Sequence, residues 1–349
     1  MDTKTIGIFT DLYFYRWDGD TVKNGIGGSE TWAYEVSVEF AKRGYDVTLY
    51  AYPPQDYNPL PNCHIVDYTK YFEDIKTRRY DYFIYSRYLD NMSPYLKCDN
   101  VYCMVHDTEL YLRNNQLGLS RIKKYCYLSE WHKDHLLSIY SDLGLTEDRL
   151  YKVSNGFSKE YYQNINLNNK INSMLWSSSL TRGFDDFYKF VFLPILKEFP
   201  DFKLYVCSGT MDEKDKQLLY NVSLLPGVEV LGKLPKKTLA EYQINSKIWV
   251  YPGSFPETFC ITAVENCAAG NVVISPKSYG LSTTLKDLDY LNFGILNERN
   301  AYVYIDFIRN ILLNDDERIK YANKCMEIAE QYSWSNTVDE FINLFESES

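Results

Sequence analysis

Short apolar runs alternate with amphipathic segments along almost the whole chain. In the first half, the segment 29–43 carries Trp32, Val36 and Phe40 near helical spacing and ends at Gly44, a pattern typical of a helix facing a core. Apolar runs of strand length lie at 5–9, 46–52, 64–67, 81–85, 101–105, 125–128 and 151–153. A further helix is predicted at 131–140. The pattern predicts strands that alternate with helices, which is typical of a parallel sheet covered on both faces.

The alternation is interrupted once, at 158–173, where the sequence is polar and rich in asparagine, and it then begins again. We interpret this stretch as a linker. Strands are predicted beyond it at 174–177, 203–207, 228–231, 247–251 and 272–275, and helices at 184–197, 237–244, 259–268, 301–313, 316–332 and 337–345. The fold class is therefore α/β, with two Rossmann-like domains facing a central cleft. The first domain spans 1–160 and includes a C-terminal helix, 335–349, that crosses back to it, and the second spans 170–334.

Composition narrows the classes of protein that fit this pattern. The chain has 349 residues, of which 45% are hydrophobic, and a formal net charge of −10. A protein that binds nucleic acid usually carries a basic face, so we do not expect nucleic acid as a partner. The N-terminus lacks the pattern of a signal peptide, and no apolar run approaches the ~20 residues of a membrane span. The eight cysteines form no CxxC pair, which indicates reduced thiols and a cytoplasmic location.

The first segment with recognisable chemistry is PETFCITAVE, in which Glu257 and Glu265 stand eight positions apart. A strand precedes it and a helix begins within it, so free backbone amides and the positive end of a helix dipole lie at the carboxyl edge of a sheet. Such a position suits a diphosphate. On a continuous helix the two carboxylates would lie about 12 Å apart along the axis. A carboxylate can accept two hydrogen bonds from a vicinal diol. Two solvent-facing acids on an ordinary helix are the alternative.

Three further segments with candidate residues follow predicted strands. In WSSSLTRGFDDF, Arg182 could bind a diphosphate and stabilise a leaving group, or could cap a surface turn. In NGIGGSE, Gly27 and Gly28 would let the backbone approach a ligand, and the spacing does not fit a dinucleotide fingerprint. His106 follows an apolar run, where an imidazole with a pKa near neutrality could orient a hydroxyl or stabilise charge, although a structural histidine is equally common there.

Together these segments resemble the retaining glycosyltransferases of family 4, also called glycosyl transferases group 1, which have the GT-B fold. The resemblance rests on the E-x7-E segment, its flanking strand and AAGNVVIS, and more loosely on NGIGGSE, VYCMVHDTELY and QYSWSNTVDEF. It implies that Glu257 lies near the transferred sugar and that Glu265 binds the ribose hydroxyls. It also implies that Arg182 stabilises the leaving diphosphate, that His106 lies near the sugar and the acceptor, and that the donor is further bound by Gly27, Gly28, Phe259, Cys260, Ile261 and Thr262.

Two departures from the family pattern are visible. The family often shows two basic residues near Arg182, whereas the first of these positions is Ser179 here, and Lys233 is the candidate for the second phosphate-binding cation. The family also often has a Gly-Gly turn after the next strand. This chain has SYGL at that point, with Gly280 alone.

The resemblance implies a hexosyltransferase of glycan biosynthesis that moves a sugar from a UDP-, GDP- or dTDP-linked donor to an acceptor hydroxyl with retention of configuration. The acceptor is a glycan, a lipid-linked molecule or a protein, and a peripheral position at a membrane surface stays open. Neither a cofactor nor a metal is expected. The pair His132 and His135 and the two DxD tripeptides, at 18–20 and 287–289, are weak metal signals. Two alternatives remain: a related epimerase or phosphorylase, and a catalytically weak sugar-nucleotide binding module.

Overall fold

The computed structural model describes residues 3–10, 15–111, 120–209 and 213–348. Contacts divide the chain into two units: Met1–Gly156 together with Ser333–Ser349, and Phe157–Tyr332. The second unit thus begins before the predicted domain start at 170. The segment 158–173, interpreted as a linker, is part of that unit, and its last residues already belong to a strand.

The first unit contains an eight-stranded sheet in the order β3-β4-β2-β1-β5-β6-β7-β8. Its strands are β1 Thr5–Phe9, β2 Asp46–Ala51, β3 Tyr57–Leu60, β4 Cys63–Asp67, β5 Tyr82–Ser86, β6 Val101–Met104, β7 Lys124–Tyr127 and β8 Leu150–Lys152. All neighbours are parallel except β3 and β4. The antiparallel edge strand β3 was not predicted, because its sequence, YNPL, contains a proline and has no apolar run.

The second unit contains a five-stranded, fully parallel sheet in the order β11-β10-β9-β12-β13. Its strands are β9 Ile171–Trp176, β10 Lys203–Val206, β11 Val228–Val230, β12 Ser246–Val250 and β13 Val272–Ile274. Every residue of β12 and β13 is buried, which explains why these strands appear in the sequence as continuous apolar runs instead of alternating ones.

The helices of the described part of the chain connect most of these strands or follow the last of them. They are α1 Gly19–Lys23, α2 Gly28–Lys42, α3 Tyr71–Thr77, α4 Glu130–Tyr140, α5 Phe184–Phe187, α6 Leu193–Glu198, α7 Glu213–Ser223, α8 Lys236–Asn245, α9 Ile261–Ala268, α10 Leu281–Thr284, α11 Ala301–Leu313, α12 Asp315–Ala329 and α13 Trp334–Ser347. A π-helical turn, Tyr188–Phe192, joins α5 to α6. Pro194, which cannot donate a helical hydrogen bond, is the second residue after this turn, and the predicted helix at 184–197 is not regular.

The last helix, α13, belongs to the first unit, as predicted. Ser333 caps its N-terminus, because the serine side chain accepts a hydrogen bond from the amide of Asn336. Phe345 stacks on Phe40 of α2 at 5.9 Å and on Tyr82 of β5 at 4.0 Å between ring centroids. The C-terminal segment therefore completes the core of the first unit. In the described part of the chain, no helix combines the length and the apolar character that a bilayer span requires.

Candidate functional site

The carboxyl edge of the second sheet brings Arg182 and Glu257 together. Arg182 lies in the turn after β9, and Glu257 lies in the loop 251–260 after β12. Because β9 and β12 are neighbours in the sheet, both loops leave from the same edge. Nη1 of Arg182 lies 2.5 Å from Oε1 of Glu257. The two residues that the sequence analysis assigned to the leaving group and to the sugar thus form an ion pair.

Two aromatic residues hold this pair. The hydroxyl of Tyr251, a residue 2% exposed, donates a hydrogen bond of 2.7 Å to the same oxygen of Glu257. The guanidinium carbon of Arg182 lies 3.7 Å from the centroid of the Phe255 ring, within the range of a cation–π contact. Burial opposes the charge of Arg182, but Glu257 and Tyr251 outweigh it and raise the pKa of the guanidinium. Arg182 is therefore a fixed cation.

Glycine permits the close approach of the two loops. A β-carbon on Gly253 would lie 2.1 Å from the carbonyl oxygen of Arg182, so a larger residue there would push the loops apart. Gly280 plays a similar part on the other side of Glu257: its amide donates a hydrogen bond of 2.7 Å to the Glu257 carbonyl, and a β-carbon would lie 2.5 Å from that oxygen. The single glycine of SYGL thus packs directly on the backbone of Glu257. Tyr279, where the family often has a first glycine, adopts a positive φ of 54°.

Helix α9 begins at Ile261, two residues later than predicted, because Cys260 adopts a left-handed conformation with φ 74° and ψ 77°. The predicted axial distance of about 12 Å assumed a continuous helix from Glu257 to Glu265, and only 261–265 is helical. The side chain of Phe259 is buried against Tyr332, with ring centroids 5.2 Å apart, so this residue can offer a ligand its backbone alone. The amides of the first turn, including those of Ile261 and Thr262, stand at the positive end of the helix.

Glu265 lies on α9, and its side chain is only partly exposed. Desolvation raises the pKa of its carboxyl, while the charge of Lys236 and the neighbouring side chain of Gln243 oppose that rise. The hydroxyl of Tyr162 donates a 2.6 Å hydrogen bond to Oε1 of Gln243, which leaves the Gln243 amide nitrogen as the group that can face Glu265. Tyr162 stands in the segment interpreted as a linker. Neither Tyr162 nor Gln243 carries a sequence signal of its own.

Lys233, the candidate second cation, is exposed in the loop after β11. Its β-carbon would lie 3.3 Å from a β-carbon added to Gly209, which follows β10, so it stands beside the carboxyl ends of these two strands. Ser179, at the family's first basic position, makes a 2.8 Å hydrogen bond with the Thr181 hydroxyl. The cation that the structure places beside Glu265 is Lys236, at the start of α8, which the sequence analysis did not select.

The remaining predicted residues belong to the first unit. Gly27 caps α2, and Gly28 is its first residue. A β-carbon on Gly27 would lie 2.3 Å from Oε2 of Glu30, so the Glu30 carboxylate occupies the space above this glycine. His106 packs edge-on against Trp32, with ring centroids 5.1 Å apart. The predicted residues therefore form two sets, one in each unit.

The pKa of His106 differs from the expectation. Burial, with contributions from Arg87 and His132, lowers it to about 3, so the imidazole is neutral at pH 7. A neutral imidazole can still orient a hydroxyl or donate its one N–H to a developing negative charge, but it adds no positive charge of its own. Its neighbour Asp107 accepts a 2.6 Å hydrogen bond from Nε of Arg87, a residue that the sequence analysis missed. Arg87 directly follows β5, and that position is the signal that could have revealed it.

The weak metal signals have structural explanations. Asp18 caps α1, Asp289 pairs with Lys324 at 2.7 Å, and Nε2 of His132 lies 2.9 Å from the carbonyl oxygen of Asp107. His135 stacks on Trp131, with ring centroids 4.9 Å apart. Within the described ranges, no three His, Cys, Asp or Glu side chains are grouped as a metal site would require.

Comparison with known sequences gives matches to glycosyltransferases. Residues 158–331 match the family model described as glycosyl transferases group 1. A D-inositol 3-phosphate glycosyltransferase from Corynebacterium urealyticum is 25% identical over 162 residues, which cover 44% of this chain and 37% of the relative. A protein of the same description from Nocardiopsis dassonvillei is 28% identical over 110 residues, which cover 32% of this chain and 25% of the relative. The chain thus spans well under half the length of these relatives.

Solved structures match over the whole chain. A glycosyltransferase from Rickettsia africae gives a TM-score of 0.72 at 15% identity, with 99% of each chain covered. The sucrose-phosphate synthase of Thermosynechococcus elongatus gives 0.70 at 13% identity, again with 99% of each covered. Anabaena HepE, solved in complex with UDP and glucose, gives 0.65 at 14% identity, with 99% of this chain and 100% of that chain covered. At these identities the likeness shows the fold. The chain therefore has the GT-B fold, and through its second unit it belongs to the glycosyl transferases group 1 family.

Proposed function

We propose that this protein is a glycosyltransferase that moves a sugar from a nucleoside diphosphate sugar to an acceptor hydroxyl with retention of configuration. The observation that carries the proposal is the placement of Arg182, Glu257 and the start of α9 at one edge of the second sheet. A cation and free helix amides suit a diphosphate, and a neighbouring carboxylate suits the hydroxyls of a sugar. The family membership and the UDP complex of HepE support the same donor class.

In the proposed arrangement, the diphosphate lies at the first turn of α9, near the amides of Cys260, Ile261 and Thr262. Glu257 accepts hydrogen bonds from the transferred sugar, and Glu265 accepts them from the ribose. The contact between Arg182 and Glu257 uses one guanidinium nitrogen and one carboxylate oxygen, and in the proposed arrangement the donor replaces this contact. The guanidinium then pairs with the diphosphate and the carboxylate with the sugar. This exchange keeps both charges compensated while the donor replaces water.

In the chemical step, the bond between the anomeric carbon and the phosphate oxygen breaks and the bond to the acceptor oxygen forms on the same face of the sugar. The acceptor hydroxyl gives its proton to the departing phosphate. Arg182 and the amides of α9 stabilise the charge that develops on the diphosphate, so the mechanism needs no metal ion and no cofactor. Glu257 and Glu265 act in binding and do not form an acid–base pair. The acceptor, which is a glycan, a lipid-linked molecule or a protein, is bound by the first unit.

The test is release of nucleoside diphosphate from UDP-, GDP- and dTDP-linked sugars, with and without acceptors. We expect turnover with one base and loss of turnover in Arg182→Ala. The anomeric configuration of the product, read by NMR, tests retention directly. An inverted product would refute the retaining mechanism, and no turnover with any donor would refute the transferase.

One observation favours a second candidate, a sugar-nucleotide binding module with weak catalysis. Ser179 replaces one of the two basic residues that the family often shows, and Arg182 is compensated by Glu257. Tight binding of a nucleoside diphosphate without turnover would support this alternative. An epimerase or a phosphorylase is distinguished by its products, which are an isomerised donor in the first case and a sugar phosphate in the second.

A further inference from the structure

Two buried hydroxyl groups lie at the carboxyl edge of the first sheet. Thr10 directly follows β1, and Ser86 is the last residue of β5. Phe9 pairs with Tyr85 in the register of these neighbouring strands, so Thr10 and Ser86 stand side by side. They are 1% and 0% exposed, and neither hydroxyl has a hydrogen-bond partner in the described part of the chain. Buried hydroxyls normally have a partner, so this pair points to a group that binds there.

The alternation of side chains along a strand shows which face these hydroxyls occupy. Phe9 and Tyr85 both belong to the aromatic cluster on one face of the sheet, with ring centroids 6.1 Å apart. Thr10 and Ser86 therefore point to the opposite face. The buried residues of α2 lie outside that cluster, and Nη1 of Arg87 reaches the hydroxyl of Ser29 at 3.3 Å. The two hydroxyls thus lie on the α2 face, close to the first turn of that helix.

Among the described residues, the cation next to this place, Arg87, is already paired with carboxylates. Arg87, which adopts a positive φ of 74°, donates to Asp107 at 2.6 Å, and its Nη1 lies 3.8 Å from Oε1 of Glu30. The cation is thus matched by two carboxylates. The side chain of Glu30 is 3% exposed, so its charge is screened little by water. Among these three groups the net charge is −1.

The N-terminus of α2 is occupied as well. The Glu30 carboxylate lies over Gly27, and the Ser29 hydroxyl donates to its Oε2 at 3.1 Å. A phosphate or a carboxylate placed at this helix end would face Glu30 directly and Asp107 nearby. A hydroxyl group would not meet this repulsion, because it can donate to either carboxylate and accept from Arg87.

An aromatic surface adjoins the charged groups. The rings of Tyr88 and Tyr111 stack at 4.6 Å, and the guanidinium carbon of Arg87 lies 5.2 Å from the Tyr88 centroid. Aromatic surface beside a few polar groups is typical of sites for small organic molecules. The polar groups here are hydroxyls, carboxylates and one compensated guanidinium, a set that suits hydroxyls on an otherwise neutral molecule.

We propose that the first unit binds the acceptor at this place, which we call the Arg87 site (Thr10, Glu30, Ser86, Arg87 and Asp107), and that the bound part is an uncharged polyhydroxyl group and not an anion. This inference rests on the proposed function, because it names the acceptor class for the same reaction. The sequence of this chain is similar to those of D-inositol 3-phosphate glycosyltransferases, whose named acceptor carries a phosphate. An uncharged acceptor would distinguish this chain from those relatives.

The experiment measures binding of glucose and myo-inositol, and of their monophosphates, to the full chain by ligand-observed NMR with UDP present. We expect the neutral polyols to bind at least tenfold more tightly than the monophosphates. Asp107→Asn removes the nearer of the two carboxylates that pair with Arg87 and should move that preference at least tenfold toward the monophosphates. The control is Asp99→Asn, which removes a carboxylate from an exposed ion pair with Arg79 elsewhere in the same unit and should leave the preference unchanged. Tighter binding of the monophosphates to the unaltered protein, or no binding by any of the four, would overturn the proposal.

Ser86→Ala tests whether the Ser86 hydroxyl serves a ligand or only the fold, because the two roles predict different changes in melting temperature and polyol binding. If the hydroxyl serves a ligand, its removal should raise the melting temperature of the ligand-free protein and at the same time weaken polyol binding. A lower melting temperature with unchanged polyol binding would assign the hydroxyl to the fold and contradict the proposal. Donor hydrolysis, measured in parallel, distinguishes a wrong acceptor class from a wrong proposed function. Hydrolysis combined with a preference for phosphorylated acceptors refutes the acceptor class alone, whereas the absence of donor binding and hydrolysis refutes the proposed transferase.

Discussion

Arg182 and Glu257 share a hydrogen bond of 2.5 Å between Nη1 and Oε1, and the two residues come from loops that follow neighbouring strands of one sheet. The side chain of Glu257 is 14% exposed, and Tyr251 donates to the same oxygen. A donor that contacts both residues therefore binds two side chains that already interact with each other. This interaction links donor binding to the state of a single ion pair.

Removal of Arg182 should affect the chemical step more than donor affinity. Arg182→Ala removes the cation that stabilises the departing diphosphate, and we expect kcat to fall about 10²–10³-fold. Diphosphate release under saturating donor measures this effect. Arg309→Ala is the control, because it removes an arginine from an exposed pair with Glu198 in the same unit and should leave kcat unchanged. A variant with unaltered kcat would exclude the leaving-group role.

Tyr251 should position Glu257 through its hydroxyl alone. In Tyr251→Phe the ring keeps its contacts with Trp249 and Trp176, so the fold should persist, while Glu257 loses one hydrogen bond. We expect a loss of about 1 kcal/mol, or about fivefold, in kcat/KM for the donor sugar. Affinity for the nucleoside diphosphate alone should stay the same. Tyr188→Phe, which loses a long 3.4 Å contact to the Pro226 carbonyl, is the matched control. Equal effects of the two variants would contradict the assignment.

Nucleotide binding should depend on pH through Glu265. Burial raises the pKa of this carboxyl, and only its ionised form can accept two hydrogen bonds from a ribose diol. Affinity for UDP should therefore increase as the pH rises through the raised pKa and then level off. Calorimetric titrations at several pH values would show this. Glu265→Gln should lose the part of the pH dependence that the Glu265 carboxyl contributes, while the part due to the terminal phosphate of UDP remains. A 2′,3′-dideoxynucleotide should bind without the same dependence. An identical pH profile for the variant would reject the ribose assignment.

Glycine should be better tolerated than alanine at Cys260. Its φ of 74° disfavours any residue with a β-carbon, so Cys260→Gly should be more stable than Cys260→Ala by about 1 kcal/mol. Both variants lose the buried sulfur, so their difference isolates the backbone conformation. Denaturant unfolding of the two proteins measures it. A more stable alanine variant would show that the left-handed conformation is not required.

Lys170 should be essential for the stability of the second unit. Its side-chain nitrogen lies within hydrogen-bonding distance of the carbonyl oxygens of Ile244, Ser246 and Ala269, at 2.8, 2.9 and 2.9 Å, and of the side-chain oxygen of Asn271, at 3.1 Å. Burial lowers the pKa of this amine to about 7. Lys170→Met leaves these acceptors without the donor and should lower the free energy of unfolding by about 3 kcal/mol. Lys203→Met, at an exposed position of β10, is the control and should change little. A loss below about 1 kcal/mol would mean that water replaces the side-chain nitrogen.

Much of the fold could be predicted because its strands are continuous apolar runs. The predicted strand at Thr5–Phe9 has the bounds seen in the structure, and the buried strands β12 and β13 were located to within a residue or two. Predictions failed where the local sequence carries no such signal. Strand β3 was missed, and α9 begins later than predicted because Cys260 takes a conformation that its residue type does not indicate.

Some residues of the candidate site could be predicted from the sequence, and others could not. Arg182 and Glu257 could be selected from the sequence because each lies between a predicted strand and a predicted helix start, and Glu265 because it stands eight positions after Glu257. The residues that support them could not be selected. Gln243 lies more than twenty positions before Glu265, and Tyr162 lies in a polar segment that resembles a linker. Only packing brings these three side chains together.

The sequence by itself thus determined the two-part α/β organisation, the family and the principal charged residues, because hydrophobic periodicity and the short segments at strand ends are local properties of the chain. The tertiary structure decided that Arg182 and Glu257 are partners, that His106 is neutral, and that the hydroxyls of Thr10 and Ser86 lie buried beside a compensated arginine. These are matters of distance, burial and neighbouring charge between residues far apart in the chain, and such quantities exist only once the chain has folded.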